Sequence, residues 1–200
     1  MGSIVVAAVI LTIATAPLGT VGPGLPRPLP TAFLLRSPVP GLTVGDLAPE
    51  FETDLEDGGR FVLSDLDSRP IRLSELRGHI VWVNFFATWC PPCQFESPVL
   101  REVDERYRDR GLTIVAVNVQ QTVAVADEYA GRYGWRFTVG TDVRAAIFHL
   151  YRVFALPTQF FIDADGRLRQ VVNGPLDLAS ASAIVEALLP TVPTASSAAP

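Results

Sequence analysis

The feature that most constrains this 200-residue chain is its pair of cysteines, which lie three positions apart in "WCPPC" at 89–93. Cys90 and Cys93 are the only cysteines of the chain. A disulfide between them would close almost no loop, and a crosslink that closes a short loop stabilises a fold little. A zinc site wants four ligands, and the chain has only His79 and His149 to add. The spacing therefore favours a redox-active pair over a structural crosslink or a metal site.

The two cysteines lie between a predicted strand and a predicted helix. The run "HIVWVNFF" at 79–86 is β-branched, aromatic and apolar on both faces, which is typical of a central buried strand. Pro91 and Pro92 then open a helix, where their missing N–H groups do no harm, and the helix is predicted to end at Gly111 and to kink at Pro98.

This junction places the sulfur of Cys90 over the start of the helix. Backbone N–H groups and the helix dipole favour a thiolate at that end. Cys90 is therefore the predicted attacking sulfur, and Cys93, one turn further on, is the predicted resolving thiol.

The rest of the chain alternates strand and helix signals. The predicted elements are a hairpin turning at 57–59, a helical turn at 73–78, a strand at 112–119, a helix at 122–134, a short strand in "WRFTVG", a helix at 142–153, a hairpin at 158–174 turning at Asp165-Gly166, and a helix at 176–189. This order predicts an α/β fold with a central mixed sheet flanked by helices, an N-terminal hairpin extension and an inserted helical and strand unit.

The ends of the chain differ in composition from this domain. Residues 4–21 carry no charge and are long enough to cross a bilayer as a helix, so 1–21 is predicted to be a membrane anchor. The alternatives are a buried core helix, disfavoured because the run has no polar face, and a signal peptide cleaved after "ATA" at 14–16, disfavoured by Pro17. We expect a Pro-rich linker at 22–43, the domain at 44–189 and a disordered tail at 190–200.

Charge excludes one class of partner. All 16 basic residues are arginines, and the part of the chain after residue 40 has 14 of them against 21 acidic residues, a net charge of about −7. An acidic domain without a basic stripe is a poor nucleic-acid binder, so we expect no nucleic-acid partner.

Several motifs together resemble one protein family. They are "VGDLAPEF" at 44–51, "LSELRGHIVWVNFFATWCPPC" at 73–93, "FES-P" at 95–98 and "LPTQFFIDADGRL" at 156–168. In combination they resemble the TlpA/ResA-like (DsbE/CcmG-related) branch of the thioredoxin superfamily. The resemblance implies a thioredoxin-like fold and an exported, often membrane-anchored, thiol–disulfide oxidoreductase. Two departures are Gln94-Phe95, where family members commonly have a basic or polar residue, and a small insertion near 64–72.

The resemblance also implies roles for single residues. Ordinary thioredoxins carry a buried Asp six residues before the first cysteine, where this chain has Asn84. Glu96 is then expected to take over as proton acceptor for the resolving thiol. Judged on the sequence alone, Glu96 would be a surface residue.

The remaining candidate residues would meet the substrate. Pro157 matches the family's cis-proline loop, which faces the cysteines and would present the backbone of Leu156 to a substrate peptide. Trp89 is expected to be a partly exposed platform, with a core aromatic as the alternative. Pro91 and Pro92 are expected to line the same surface.

No cofactor or metal is expected beyond the disulfide of Cys90 and Cys93. The partners implied by the resemblance are protein disulfides, with apocytochrome c as an example, and a thiol electron donor in the membrane. The domain would lie on the extracytoplasmic side of the cell membrane, or be secreted if the leader is cleaved.

Because Pro91 and Pro92 offer no N–H to a thiolate, we expect the enzyme to act as a reductant.

Three other functions stay open or are disfavoured. One alternative is a disulfide-forming oxidase. Another is a copper-delivery module, although the copper-binding relatives use Cys-x-x-x-Cys with a distant His. A peroxidase is disfavoured because Thr88 lies two residues before Cys90 rather than three.

Overall fold

The computed structural model describes residues 32–36 and 40–189. The predicted anchor at 1–21, most of the predicted linker at 22–43 and the predicted tail at 190–200 lie outside the described residues. Among the helices that the two described ranges contain, none is long and apolar enough to cross a membrane.

The described residues form ten strands and four α-helices, together with two short 3₁₀ turns. The strands are β1 (Phe33–Leu34), β2 (Glu52–Asp54), β3 (Arg60–Val62), β4 (Ser64–Asp65), β5 (Ile80–Phe86), β6 (Leu112–Val119), β7 (Thr138–Asp142), β8 (Ala155–Leu156), β9 (Thr158–Ile162) and β10 (Leu168–Asn173), and the helices are α1 (Pro91–Tyr107), α2 (Val123–Tyr133), α3 (Ala146–Leu150) and α4 (Leu178–Leu188). The 3₁₀ turns are Leu73–Leu76 and Arg108–Arg110.

A six-stranded sheet forms the centre of the domain, in the order β10-β9-β5-β6-β7-β4. The pairs β5–β6 and β6–β7 are parallel, and the other three pairs are antiparallel. Every residue of β5 is buried, as the apolar run predicts for a strand covered on both faces. The mixed sheet and the thioredoxin-like α/β fold are confirmed.

The two faces of β5 bury against different helices, because successive side chains of a strand point to opposite sides. The ring of Phe85 packs against Phe148 of α3 and against Tyr151. The ring of Phe86 packs against Tyr129 of α2 and against Trp135. Asn84 shares the face of Phe86, which is how a polar side chain of the central strand comes to point toward the helix that carries the cysteines.

Helix α1 begins directly after Cys90, with Pro91 and Pro92 in its first turn, where proline removes no hydrogen bond. It continues through Pro98 to Tyr107, and the 3₁₀ turn that follows ends at Gly111. Gly111 has a φ of 96°, a left-handed conformation that glycine adopts without steric penalty. The predicted start and end of this helical stretch are confirmed.

The predicted N-terminal hairpin and the predicted insertion both add strands. Strands β2 and β3 pair as an antiparallel hairpin over a turn at Gly58, whose φ is 80°. Residues 64–72 contain β4, which pairs antiparallel with β7 at the edge of the sheet. Residues 64–72, the predicted insertion, therefore add one strand to the edge of the sheet.

Helix α3 is shorter than the sequence pattern predicts. The pattern predicts a helix over 142–153, but Asp142 is the last residue of β7 and only Ala146–Leu150 are helical. The Asp142 carboxylate accepts hydrogen bonds from the N–H groups of Ala146 and Phe148, at 2.7 and 2.8 Å. The turn that this carboxylate holds delays the helix, and Arg152, with a φ of 55°, follows its end.

Part of the predicted linker is docked on the domain. Strand β1 pairs antiparallel with β8, with Phe33 opposite Leu156 and Leu34 opposite Ala155. The sequence between Pro30 and Pro38 contains no proline, so its N–H groups are free to join a strand. The prediction of a simple spacer is therefore wrong for residues 33–36.

Candidate active site

Cys90 and Cys93 form a disulfide at the point where the loop after β5 enters α1, with their Cα atoms 5.3 Å apart. Cys90 is the N-cap residue of α1. Both residues are buried, with 0% and 2% of their surface exposed. Cys90 thus lies where the helix dipole favours a thiolate once the disulfide is reduced.

A side-chain network fixes the loop that precedes Cys90. The Gln121 side chain accepts a hydrogen bond from the N–H of Thr88 at 2.8 Å and donates one to the Thr88 hydroxyl at 2.7 Å. Asn118 donates to the same Gln121 oxygen at 2.9 Å, and Gln94 donates to the Thr88 carbonyl at 2.7 Å. The sequence did not single out Gln121, because nothing in "NVQQT" links it to a loop about 30 residues away.

Glu96 is fully buried in α1, three residues after Cys93. Its carboxylate accepts hydrogen bonds from the Leu176 N–H at 2.7 Å, from the Asn84 side chain at 2.9 Å, and from the Gln159 side chain at 2.7 and 2.8 Å. Burial raises the pKa of Glu96 to about 7, and the hydrogen bonds from Leu176, Gln159 and Asn84 hold it from rising further. A carboxyl with such a pKa can take up and release a proton near neutral pH. The surface alternative for Glu96 is wrong.

The orientation of the Gln159 amide follows from its neighbours. The indole N–H of Trp82, which can only donate, bonds to the Gln159 oxygen at 2.9 Å, and Asn84 donates to the same oxygen at 2.6 Å. The Gln159 NH₂ group therefore turns toward Glu96. The motif "LPTQFFIDADGRL" contains Gln159, but the family resemblance implies no role for this residue. The sequence signal that could have identified Gln159 is its position as a polar residue within a largely apolar strand.

The loop at Pro157 lies at the same end of the sheet as the cysteines. Thr158 pairs with Phe85 in the β9–β5 ladder, so Pro157 falls opposite the end of β5, just before the cysteine loop. The Leu156–Pro157 peptide bond is cis, as the resemblance implied. Leu156 and Pro157 are buried, and the Pro157 carbonyl accepts a hydrogen bond from Gly174 N–H at 2.8 Å.

The other candidate residues surround the disulfide unequally. Trp89 is 49% exposed, which agrees with the predicted platform and not with a core aromatic. Its ring meets the ring of Phe33 edge to face, with centroids 5.5 Å apart. Of the two prolines between the cysteines, Pro91 is exposed and Pro92 is buried.

Within residues 32–36 and 40–189, no group of three or more His, Cys, Asp or Glu side chains is placed to hold a metal ion. His79 and His149 are both exposed. The groups at the site that can take part in chemistry include the two sulfurs of the disulfide and the buried Glu96 carboxyl.

The chain is similar to a known protein family and to curated thiol-disulfide oxidoreductases. The profile of the AhpC/TSA family matches residues 44–171. The thiol-disulfide oxidoreductase ResA of Oceanobacillus iheyensis is 34% identical over 135 residues, which cover 68% of this chain and 67% of that protein. ResA of Geobacillus thermodenitrificans is 36% identical over 135 residues, which cover 68% of this chain and 72% of that protein.

Solved structures agree with these relatives. A thiol:disulfide interchange protein of the thioredoxin family from Chlorobium tepidum superposes with a TM-score of 0.61 and 29% identity, covering 74% of this chain and 99% of that one. A secreted Mycobacterium tuberculosis disulfide oxidoreductase homologous to E. coli DsbE superposes with a TM-score of 0.59 and 27% identity. The superposition covers 64% of this chain and 96% of that one.

Proposed function

This chain belongs to the AhpC/TSA family and is a thioredoxin-like thiol–disulfide oxidoreductase, and on that premise we propose that it reduces protein disulfides through Cys90 and Cys93. The observation that carries the proposal is the position of Cys90 as the N-cap of α1, disulfide-bonded to Cys93. The buried Glu96 carboxyl on the same helix supplies a proton acceptor with a pKa of about 7.

The proposed reaction has two exchange steps. The Cys90 thiolate of the reduced enzyme attacks a substrate disulfide, forms a mixed disulfide and releases one substrate sulfur as a thiolate. Glu96 then takes the proton of the Cys93 thiol, and the Cys93 sulfur attacks the Cys90 sulfur. The mixed disulfide breaks, the second substrate sulfur leaves, and the Cys90–Cys93 disulfide re-forms. Two electrons have passed to the substrate, and a thiol donor must return them to the enzyme.

We expect the enzyme to act as a reductant because its thiolate has few donors around it. Strong oxidants stabilise the reduced form by stabilising the thiolate. Among the first three residues of α1, Pro91 and Pro92 have no N–H, which leaves that of Cys93. Titration against glutathione should give a potential closer to the roughly −270 mV of thioredoxin than to the roughly −120 mV of a strong oxidant. A value above about −160 mV would instead support the disulfide-forming oxidase.

The cellular setting is part of the proposal and rests on residues 1–43 and on the family resemblance. The domain would be tethered to the cell membrane by 1–21, on the extracytoplasmic side, and receive electrons from a membrane thiol protein. Apocytochrome c, whose cysteines must be reduced for haem attachment, is the substrate that we propose by analogy. Fractionation of cells that express the full chain tests the tether, since a cleaved leader would leave the protein in the soluble fraction.

Trapping of partners tests both the reaction and the substrate. In Cys93→Ala the mixed disulfide cannot be resolved, so substrates should stay linked to Cys90. Cys90→Ala is the matched control and should trap nothing. Trapped proteins with haem-attachment motifs would support apocytochrome c, and a broad set without such motifs would indicate a general reductase. If Cys93→Ala traps no protein, the proposed function is wrong. Tight stoichiometric Cu(I) binding without disulfide reduction would point to copper delivery.

A further inference from the structure

The backbone edge beside the cysteines is already occupied by the chain's own N-terminal segment. We call residues 33–36 the strap. Phe33 and Leu34 pair antiparallel with Leu156 and Ala155. The N–H groups of Leu35 and Arg36, at 2.9 and 3.2 Å from the Phe154 carbonyl, extend this contact.

Two side chains of the strap add to the backbone pairing. The Phe33 ring lies edge to face on Trp89, the residue next to Cys90. The Arg36 guanidinium donates to the Val153 carbonyl at 3.0 Å and lies 5.9 Å from the centre of the Phe148 ring. The strap therefore contacts Trp89 at one end and, at the other end, Val153 and Phe154 in the loop that follows α3.

The strap nevertheless lies on the surface of the domain and is not buried in it. The side chains of Phe33, Leu34 and Leu35 are 46%, 63% and 37% exposed. A two-residue ladder with side chains that face solvent buries little apolar surface, so it is a segment of low local stability.

The reactive sulfur, by contrast, is closed off. Cys90 is 0% exposed, yet thiol–disulfide exchange requires a third sulfur to reach it. Something beside Cys90 must move before a protein disulfide can react. The strap contacts Trp89, the neighbour of Cys90 in the chain, and it occupies the backbone edge where a substrate strand would add.

We propose that the strap is an intramolecular competitor of the substrate: it occupies the Ala155–Leu156 edge, shields Cys90, and must leave before a substrate strand can pair there. This inference rests on the proposed function and concerns regulation of the same site. Free backbone groups on one side of a short strand can pair with only one other strand, so strap and substrate exclude each other. Because the strap is tethered, it competes at a high effective concentration.

The substrate that fits this edge has a definite chemistry. It is an extended segment that enters antiparallel to Ala155–Leu156 and carries an apolar or aromatic side chain at the position of Phe33, over Trp89.

Kinetics of strap variants in the full chain test the proposal. Phe33→Ala removes the ring contact, and Leu35→Pro removes the N–H that bonds to the Phe154 carbonyl. If the strap competes with substrate, KM for reduction of a protein disulfide should fall by at least about threefold in both variants while kcat stays unchanged. Leu47→Ala is the control, because Leu47 is 59% exposed and its backbone also makes one bridge, to Arg167. Its KM should match that of the unmodified chain.

A second readout does not depend on disulfide exchange. Iodoacetamide should alkylate Cys90 of the reduced enzyme at least about threefold faster in Phe33→Ala and Leu35→Pro than in the unmodified chain or Leu47→Ala. Equal alkylation rates, or a KM that is unchanged or higher in both strap variants, would overturn the proposal. If the unmodified chain reduces no protein disulfide, the proposed function is wrong. The alkylation rates would still decide whether the strap shields Cys90.

Discussion

The Gln159 side-chain nitrogen lies 2.7 and 2.8 Å from the two oxygens of the Glu96 carboxylate. One amide from β9 thus holds both oxygens of a buried acid on α1, the helix that begins at the cysteines. The Trp82 indole and Asn84 hold the other end of the same amide. The proton acceptor of the proposed reaction is therefore positioned by residues of two neighbouring strands.

Replacing Glu96 by Gln should slow reduction of a protein disulfide by about 10²-fold near neutral pH, because the resolving thiol loses its proton acceptor. The rate should also lose the pH dependence that the pKa of Glu96, about 7, gives to the unmodified enzyme. Stopped-flow reduction measured from pH 6 to 9 checks both expectations. Glu105→Gln, on an exposed position of α1, is the control. Identical profiles for Glu96→Gln and the unmodified chain would remove Glu96 from the mechanism.

Replacing Gln159 by Leu should raise the pKa of Glu96, because the charged carboxylate loses its donor. The inflection of the pH–rate profile should move up by about one to two pH units, since a hydrogen bond to a charged group contributes about 1.5–3 kcal/mol. The double variant Gln159→Leu with Glu96→Gln should show no such inflection. Gln170→Leu, at an exposed position of β10, is the control for the loss of a strand glutamine. An unshifted inflection in Gln159→Leu would mean that Gln159 is only structural.

Stability should fall as the pH rises toward neutral, because burial favours the protonated forms of Glu96 and Asp142. Burial raises the pKa of Glu96 from 4.5 to about 7 and that of Asp142 from 3.8 to about 6. The stabilisation from a protonated Glu96 is complete below pH 4.5 and is lost as the pH rises through about 7.

Urea denaturation at pH 5 and pH 8 measures this effect. Relative to Glu96→Gln, which cannot ionise, the unmodified chain should lose about 2–3 kcal/mol of unfolding free energy between the two pH values. The Glu105→Gln variant should follow the unmodified chain. A constant difference between Glu96→Gln and the unmodified chain across this range would contradict the raised pKa.

Replacing Gly140 by Ala should destabilise the fold by about 1–3 kcal/mol, because a methyl group there overpacks the core. A Cβ at Gly140 would lie 2.8 Å from Ile71 Cδ1 and 2.9 Å from Leu63 Cδ2, and both neighbours are buried. Gly131→Ala is the matched control, because a Cβ there meets no atom within 4 Å and Gly131 lies in α2. Gly131→Ala should be neutral or stabilise the protein by up to about 1 kcal/mol. Equal urea midpoints for the two variants would show that the core near Gly140 relaxes.

The central elements could be predicted from the sequence because their signals are local. The apolar run 79–86 can only be a buried strand or helix, and the prolines that follow it start the next element. The limits of α3 could not be predicted in this way, because its start is set by the Asp142 carboxylate, which belongs to β7. A helix-forming pattern does not reveal that a preceding acid holds a turn.

The sequence predicts the residues proposed to react at the site, but not the residues that hold them in place. Cys90, Cys93 and Glu96 follow from a short motif and a family resemblance, whereas Gln159 and Gln121 act on residues far away in the chain. The strap was also missed, because a segment between prolines reads as a spacer unless its contacts with β8 are known. Such long-range pairing is decided by packing and not by local sequence.

Strand β5 leads to the cysteines, and its neighbour β9 begins directly after Pro157, with Phe85 paired to Thr158. The loop that carries Cys90 and the loop at Pro157 therefore leave one end of the sheet side by side, from adjacent strands about 4.8 Å apart. Separating these two loops would require breaking the β5–β9 ladder of the central sheet. On heating, Cys90 and the loop at Pro157 should therefore keep their relative positions until the core unfolds. Inactivation and global unfolding should then coincide.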